Sequence, residues 1–140
     1  MDRLLLTERM PALDAFSHVS LTVTDPARSA EFYNRTLGTE TIFSSDGDAG
    51  QLVIVARAGV MVALRNHSGA ADEGFDPSRI GLDHVAFQVP SQAELQAWHA
   101  GLLADGVVCS EIESSPFGLH LNLKDPDNIA IELFVPKPGA

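Results

Sequence analysis

Two stretches of the chain carry the same order of apolar and polar positions. Residues 16–38 read FSHVSLTVTDPARSAEFYNRTLG, and residues 82–106 read LDHVAFQVPSQAELQAWHAGLLADG. Each opens on an alternating segment: Val19, Leu21 and Val23 alternate with His18, Ser20 and Thr22, and Val85, Phe87 and Val89 with His84, Ala86 and Gln88. Period two predicts a strand with the Val/Leu/Phe set on one face and the histidine on the other. A turn with proline follows, Asp25-Pro26 in one stretch and Pro90-Ser91 in the other. The spacing then changes to that of a helix. Ala30, Tyr33 and Leu37, with Phe32 beside them, form one apolar stripe; Leu95, Trp98, Leu102 and Leu103 form the other. Gly38 and Gly106 suit the left-handed position that ends a helix.

Three further strands are predicted after each helix, at 39–44, 51–57 and 59–65, and at 107–113, 118–124 and 128–135. Turn residues separate them: Asp46-Gly47-Asp48, Ala58-Gly59, Pro116, and Asp125-Pro126-Asp127-Asn128. The chain therefore reads as an α+β protein with two βαβββ modules in tandem, at 16–66 and 82–136. Residues 1–15 read as an N-terminal arm, 67–81 as a polar linker and 137–140 as a tail, giving one domain overall. A lone module exposes one sheet face, so each needs a partner module, from its own chain or from a second copy. A homodimer is expected. A linker of about 15 residues, extended, spans roughly 50 Å and permits either arrangement.

Charge narrows the partners. Nine basic and nineteen acidic residues give a net charge of −10, so nucleic acid and anionic membranes are not expected to bind. The apolar runs are too short to cross a bilayer, and MDRLLLTERM lacks the pattern of a secretory signal, so a cytoplasmic location is expected. Cys109 is the single cysteine and reads as a half-buried packing residue. His67 and His99 read as linker and exposed-helix residues without a role.

The repeat places His18 and His84 at equivalent positions. Glu132 lies inside the apolar run IAIELFV, where a carboxylate is costly unless it is paired or coordinated. Aligning GVMVALRN (59–66) with NIAIELFV (128–135) sets Ala63 opposite Glu132. The pair of modules thus offers His18, His84 and Glu132 as metal ligands, with one divalent ion such as Zn, Mn, Fe(II) or Ni.

His18-Val and His84-Val on opening strands, with Asp125-Pro126-Asp127-Asn128 and Glu132 at the close, resemble the vicinal oxygen chelate superfamily. That superfamily comprises glyoxalases, bleomycin-resistance proteins and extradiol dioxygenases. The resemblance covers about residues 16–136. It implies paired modules that form a curved mixed sheet around a metal-centred cavity, and it favours dimers with exchanged modules. It also implies a metal acting as Lewis acid on a small oxygen-bearing substrate, with lyase, isomerase, dioxygenase and thiol-transferase chemistries all open. Glyoxalase I proteins carry a Glu where this chain has Ala63, and many dioxygenases a Tyr where it has Asn122.

Alternation in the strand at 118–124 directs His120 and Asn122 to the cavity face, where His120, with Glu132, is the expected catalytic group. Ser20, Ala63, Arg65, Gln88 and Asn122 are the expected substrate-binding set, with Arg65 suited to a carboxylate. Ser114–Gly118 reads as a lid or a plain connection. The alternative function is a non-catalytic small-molecule binder of the bleomycin-resistance kind.

Overall fold

Asp25 and Ser91 turn each opening strand into a helix. Both have extended backbones, and their side chains accept hydrogen bonds from the N–H groups of Arg28 and Glu94. The computed structural model describes residues 10–67 and 73–138. In chain order they form β1 (Val19–Thr22), α1 (Pro26–Leu37), β2 (Glu40–Gly47), β3 (Gly50–Arg57) and β4 (Val60–Arg65). The second half forms β5 (Val85–Gln88), α2 (Gln92–Ala104), β6 (Glu113–Ser115), β7 (Gly118–Lys124) and β8 (Ala130–Pro136). The expected α+β class and the tandem βαβββ order are both present. Each module has its own four-stranded mixed sheet, ordered β1-β4-β3-β2 and β5-β8-β7-β6. In each, the opening strand runs parallel to the last, and the other pairs are antiparallel.

The strand at 107–113 differs from expectation. Only Cys109 bridges Leu123, and the regular strand begins at Glu113. Ser110 accounts for the interruption. Its N–H donates to the Asn122 carbonyl, while its Oγ takes the Asn122 N–H that a neighbouring backbone carbonyl would otherwise accept. The first hairpin is tighter than its turn residues suggest, since β2 runs on to Gly47 and pairs with Gly50. Leu103 is 56% exposed instead of lying under α2, where Leu95 and Leu102 are buried. His99 is half-buried, with Glu111 4.0 Å away, not fully exposed. Residues 1–9, most of the expected arm, and 68–72 of the expected linker lie outside the described residues.

The alternation of the opening strands is reproduced. Leu21, Val23 and Val89 are buried, while His18, Ser20, Thr22, His84, Ala86 and Gln88 are exposed. The buried faces of both sheets, with Tyr33 and Leu37 of α1 and Leu95 and Leu102 of α2, merge into one apolar cluster. Within a chain the modules thus meet on their helix-bearing faces. Polar contacts fix that junction. The Tyr33 hydroxyl donates to Asp125 Oδ2 at 2.9 Å, and Thr24 donates through its N–H and hydroxyl to the two oxygens of Asp127. Arg57 donates to the Leu37 carbonyl at the end of α1 and lies 5.7 Å from the Trp98 ring centre.

Asp125 also organises the turn before β8. Its Oδ1 accepts from the N–H groups of Asp127 and Ile129. Asn128 takes φ 64, a left-handed conformation that asparagine tolerates better than most residues, which explains how the turn closes without glycine there. Burial pushes the Asp125 carboxyl above its usual value despite these donors, and burial beside Asp125 pushes the Tyr33 hydroxyl up. With its folded pKa above the unfolded one, Asp125 holds its proton more tightly when folded. Its contribution to stability therefore falls as pH rises from the ordinary carboxylate value through the raised one. Tyr33→Phe is expected to cost about 1–3 kcal/mol at neutral pH, because a buried carboxylate loses a donor. Urea denaturation should show a smaller loss in acid, where Asp125 is protonated; an equal loss at both pH values would separate the tyrosine from this carboxylate.

Candidate metal and substrate site

β8 carries Glu132 into the second sheet by the same register that carries Ala63 into the first. Ala86 is opposite Glu132 across the β5–β8 pair, and Ser20 is opposite Ala63 across β1–β4. His84 and His18 each precede those partners by two residues, immediately before their strands. The pseudo-symmetry read from the repeat is thus present in the pairing. Ala63, itself buried, stands where the second module has its carboxylate.

Glu132 sits between two imidazoles. Its Oε1 is 2.7 Å from His120 Nδ1, and its Oε2 is 3.2 Å from His84 Nε2. The side chain is only 12% exposed, so these imidazoles replace much of its lost hydration. His84 Nδ1 lies 2.7 Å from Asp83 Oδ1. Both ring nitrogens of His84 therefore face carboxylates. With Nδ1–H given to Asp83, the Nε2 lone pair on the Glu132 side is the one left for a metal ion. His18 repeats the arrangement with a weaker partner, its Nδ1 lying 2.9 Å from Ser17 Oγ. An oxygen at Nδ1 leaves Nε2 as the outward nitrogen in both modules.

The sequence did not point to Ser17, Asp83 or Ser115. A signal existed for the first two, because each directly precedes a repeat-equivalent histidine. Among the described residues no three His, Cys, Asp or Glu side chains are grouped to hold a metal ion, so one chain alone does not gather His18 with His84 and Glu132. Asn122 is paired with Glu132 across β7–β8, and Arg65 with Thr22 across β1–β4; both are exposed. Gln88 lies farther along and lines a cleft of about 400 Å³ between the modules, with Leu37, Arg57, Phe87 and Trp98. The first sheet contributes apolar groups, with Phe43 paired to Ile54 and Ile54 to Ala63. Cys109 is half-buried, and desolvation raises its thiol pKa, which disfavours the nucleophilic thiolate. Among the described residues no helix is long and apolar enough to cross a membrane.

Paired βαβββ modules, with histidines entering the opening strands and a carboxylate in the last, define a class of small proteins built by module duplication. The chain belongs to the Glyoxalase/Bleomycin resistance protein/Dioxygenase superfamily, whose family model matches residues 15–133. A glyoxylase/bleomycin resistance protein/dioxygenase domain from Frankia sp. EAN1pec is 33% identical, with a TM-score of 0.81 over 90% of this chain and 100% of that one. TnmS3, an antibiotic binding protein from Streptomyces sp. CB03234, shares the fold at 21% identity and a TM-score of 0.70, over 91% of this chain and 100% of its own. Lactoylglutathione lyase from Agrobacterium tumefaciens shares it at 18% identity and a TM-score of 0.70, over 89% of this chain and 96% of its own. No curated protein matches the chain significantly in sequence.

If Glu132 serves a site and not the fold, its charge is dispensable for folding. Glu132→Gln keeps the size and offers an oxygen to His120 and an amide N–H to His84. Metal-free stability is expected to change by less than about 1 kcal/mol in urea denaturation. A loss of several kcal/mol would assign the carboxylate to the architecture.

Proposed function

We propose that this protein is a metal-dependent enzyme that binds one divalent ion through His18, His84 and Glu132, at a site shared between two copies of the chain. The observation that carries the reading is His84, whose Nδ1 is held by Asp83 while its Nε2 lies 3.2 Å from Glu132 Oε2, so that an imidazole nitrogen and a carboxylate oxygen converge on one point. Two imidazoles and one carboxylate suit Zn, Mn, Fe(II) or Ni and leave coordination positions for a substrate. A bound ion would supply Lewis acidity toward a small oxygen-bearing substrate.

The open faces of the single chain support a shared site. Within one chain the modules are committed to each other through their helix-bearing faces, and the faces carrying His18 and Glu132 remain open. Ile42 and Phe43 of β2 are at least half exposed on a single chain, as expected of an edge awaiting cover. The first module of one copy can then face the second module of the other in a homodimer. His120 contacts Glu132 directly and is the residue placed to hold or move a proton near the substrate. Ser20, Arg65 and Asn122 are the polar groups of the cavity walls, with Arg65 free to pair a substrate carboxylate. Gln88 would act from the rim. The apolar wall of Phe43 and Ile54 also favours a second reading, a non-catalytic binder of an apolar small molecule. Metal content separates the two.

Protein purified without added metal is expected to hold about one ion per chain, lost in His18→Ala, His84→Ala and Glu132→Ala, because two remaining ligands do not complete the set. Elemental analysis of the wild type and the three variants checks this: unchanged content in all three variants overturns the ligand set, and a metal-free wild type favours the binder. Refolding His18→Ala together with Glu132→Ala and isolating the heterodimer tests exchange. In the exchanged dimer one site collects both changes and the other keeps three native ligands, so about half the metal returns. A metal-free heterodimer would place the ligands within one chain.

A further inference from the structure

Ser115 lies at the end of β6, where the expected lid or connection begins, and its Oγ is 2.5 Å from His120 Nε2. The same Oγ accepts the Phe117 N–H at 3.2 Å. With that acceptance made, the hydroxyl proton is available to His120. The direction of each hydrogen bond is set at Glu132, whose carboxylate accepts and so takes the proton on His120 Nδ1 and leaves Nε2 as the acceptor. Ser115 donates to Nε2, His120 carries its proton on Nδ1, and Nδ1–H donates to Glu132 Oε1 at 2.7 Å. Oε1 is thereby occupied, and Oε2 is the oxygen turned to His84 Nε2.

The support beneath Ser115 is rigid. The Phe117 carbonyl accepts from the Lys137 N–H at 2.8 Å, tying the hairpin tip to the end of β8. Gly118 presses on the same strand so closely that a Cβ there would overlap the Val135 carbonyl oxygen. The Phe134 ring packs 5.0 Å from the His120 ring and limits its rotation.

We propose that Ser115 is a positioning residue for Glu132: through His120 it fixes which carboxylate oxygen is offered as the metal ligand. This rests on the metal reading above. Without the serine hydroxyl, Nε2 loses its donor, and the His120 ring is held only by Glu132 and the Phe134 ring. The ring could then turn with the carboxylate it donates to, and Glu132 would lose its fixed orientation. Partners that orient a metal ligand in this way are worth about 10–100-fold in affinity.

Two measurements on the full-chain protein test the proposal. In the metal-free protein, nitrogen-15 NMR should find the His120 proton on Nδ1, and in Ser115→Ala an Nε2 resonance shifted by the loss of its hydrogen-bond donor. Titration with Co(II) should give a Kd about tenfold or more above wild type for Ser115→Ala. Ser115→Thr, which keeps the hydroxyl, should restore tight binding. A folded Ser115→Ala that binds Co(II) as tightly as wild type overturns the positioning role and leaves the metal reading intact. Wild-type protein that binds no Co(II) removes both. Should Ser115→Ala fail to fold, the wild-type tautomer still decides, because a His120 proton found on Nε2 contradicts the chain of donors.

Discussion

The buried carboxylate of Asp125 is the constraint on which the arrangement depends. One oxygen receives the backbone N–H groups that shape the turn into β8, and the other receives the Tyr33 hydroxyl from the opposite module. The same side chain therefore sets the start of the strand that carries Glu132 and holds that strand's module against α1. Neither task tolerates an apolar substitute, because the turn's N–H groups would be left without an acceptor. A carboxylate has several acceptor positions and can meet both demands at once.

Much of this was legible in the sequence because it follows from periodicity. The alternation around His18 and His84, the helical stripes and the turn residues yield the element order. Even the correspondence of Ala63 with Glu132 is visible from aligning the halves, since strand register follows side-chain alternation. What was not legible was set by single polar contacts across the fold. The broken strand at Cys109 results from one serine hydroxyl replacing a backbone acceptor, and Ser110 carries no pattern that announces this. Leu103 continues the apolar stripe of α2 yet remains exposed, because helical spacing does not state how wide the covered face is. The oxygens beside the histidines, from Ser17 and Asp83, were within reach of the repeat, since each directly precedes its histidine, but residue type alone does not say that the side chain turns to the ring.

The site also shows where the two halves of the repeat have diverged. The first sheet keeps the histidine but has Ala63, Ile54 and Leu52 along its inner strands, where the second has Glu132, Asn122 and His120. The divergence runs both ways, since Arg65 and Ser20 of the first module stand where the second has Phe134 and Ala86.

The link between Tyr33 and Asp125 spans 92 positions of the chain, and that between Thr24 and Asp127 spans 103. Closing loops of that length before their contacts form slows the search for the native state. Each module can build its local hairpins early, but the junction must wait until β8 has been synthesised and its turn has closed. During translation the first module accordingly emerges with its helix-side face uncovered.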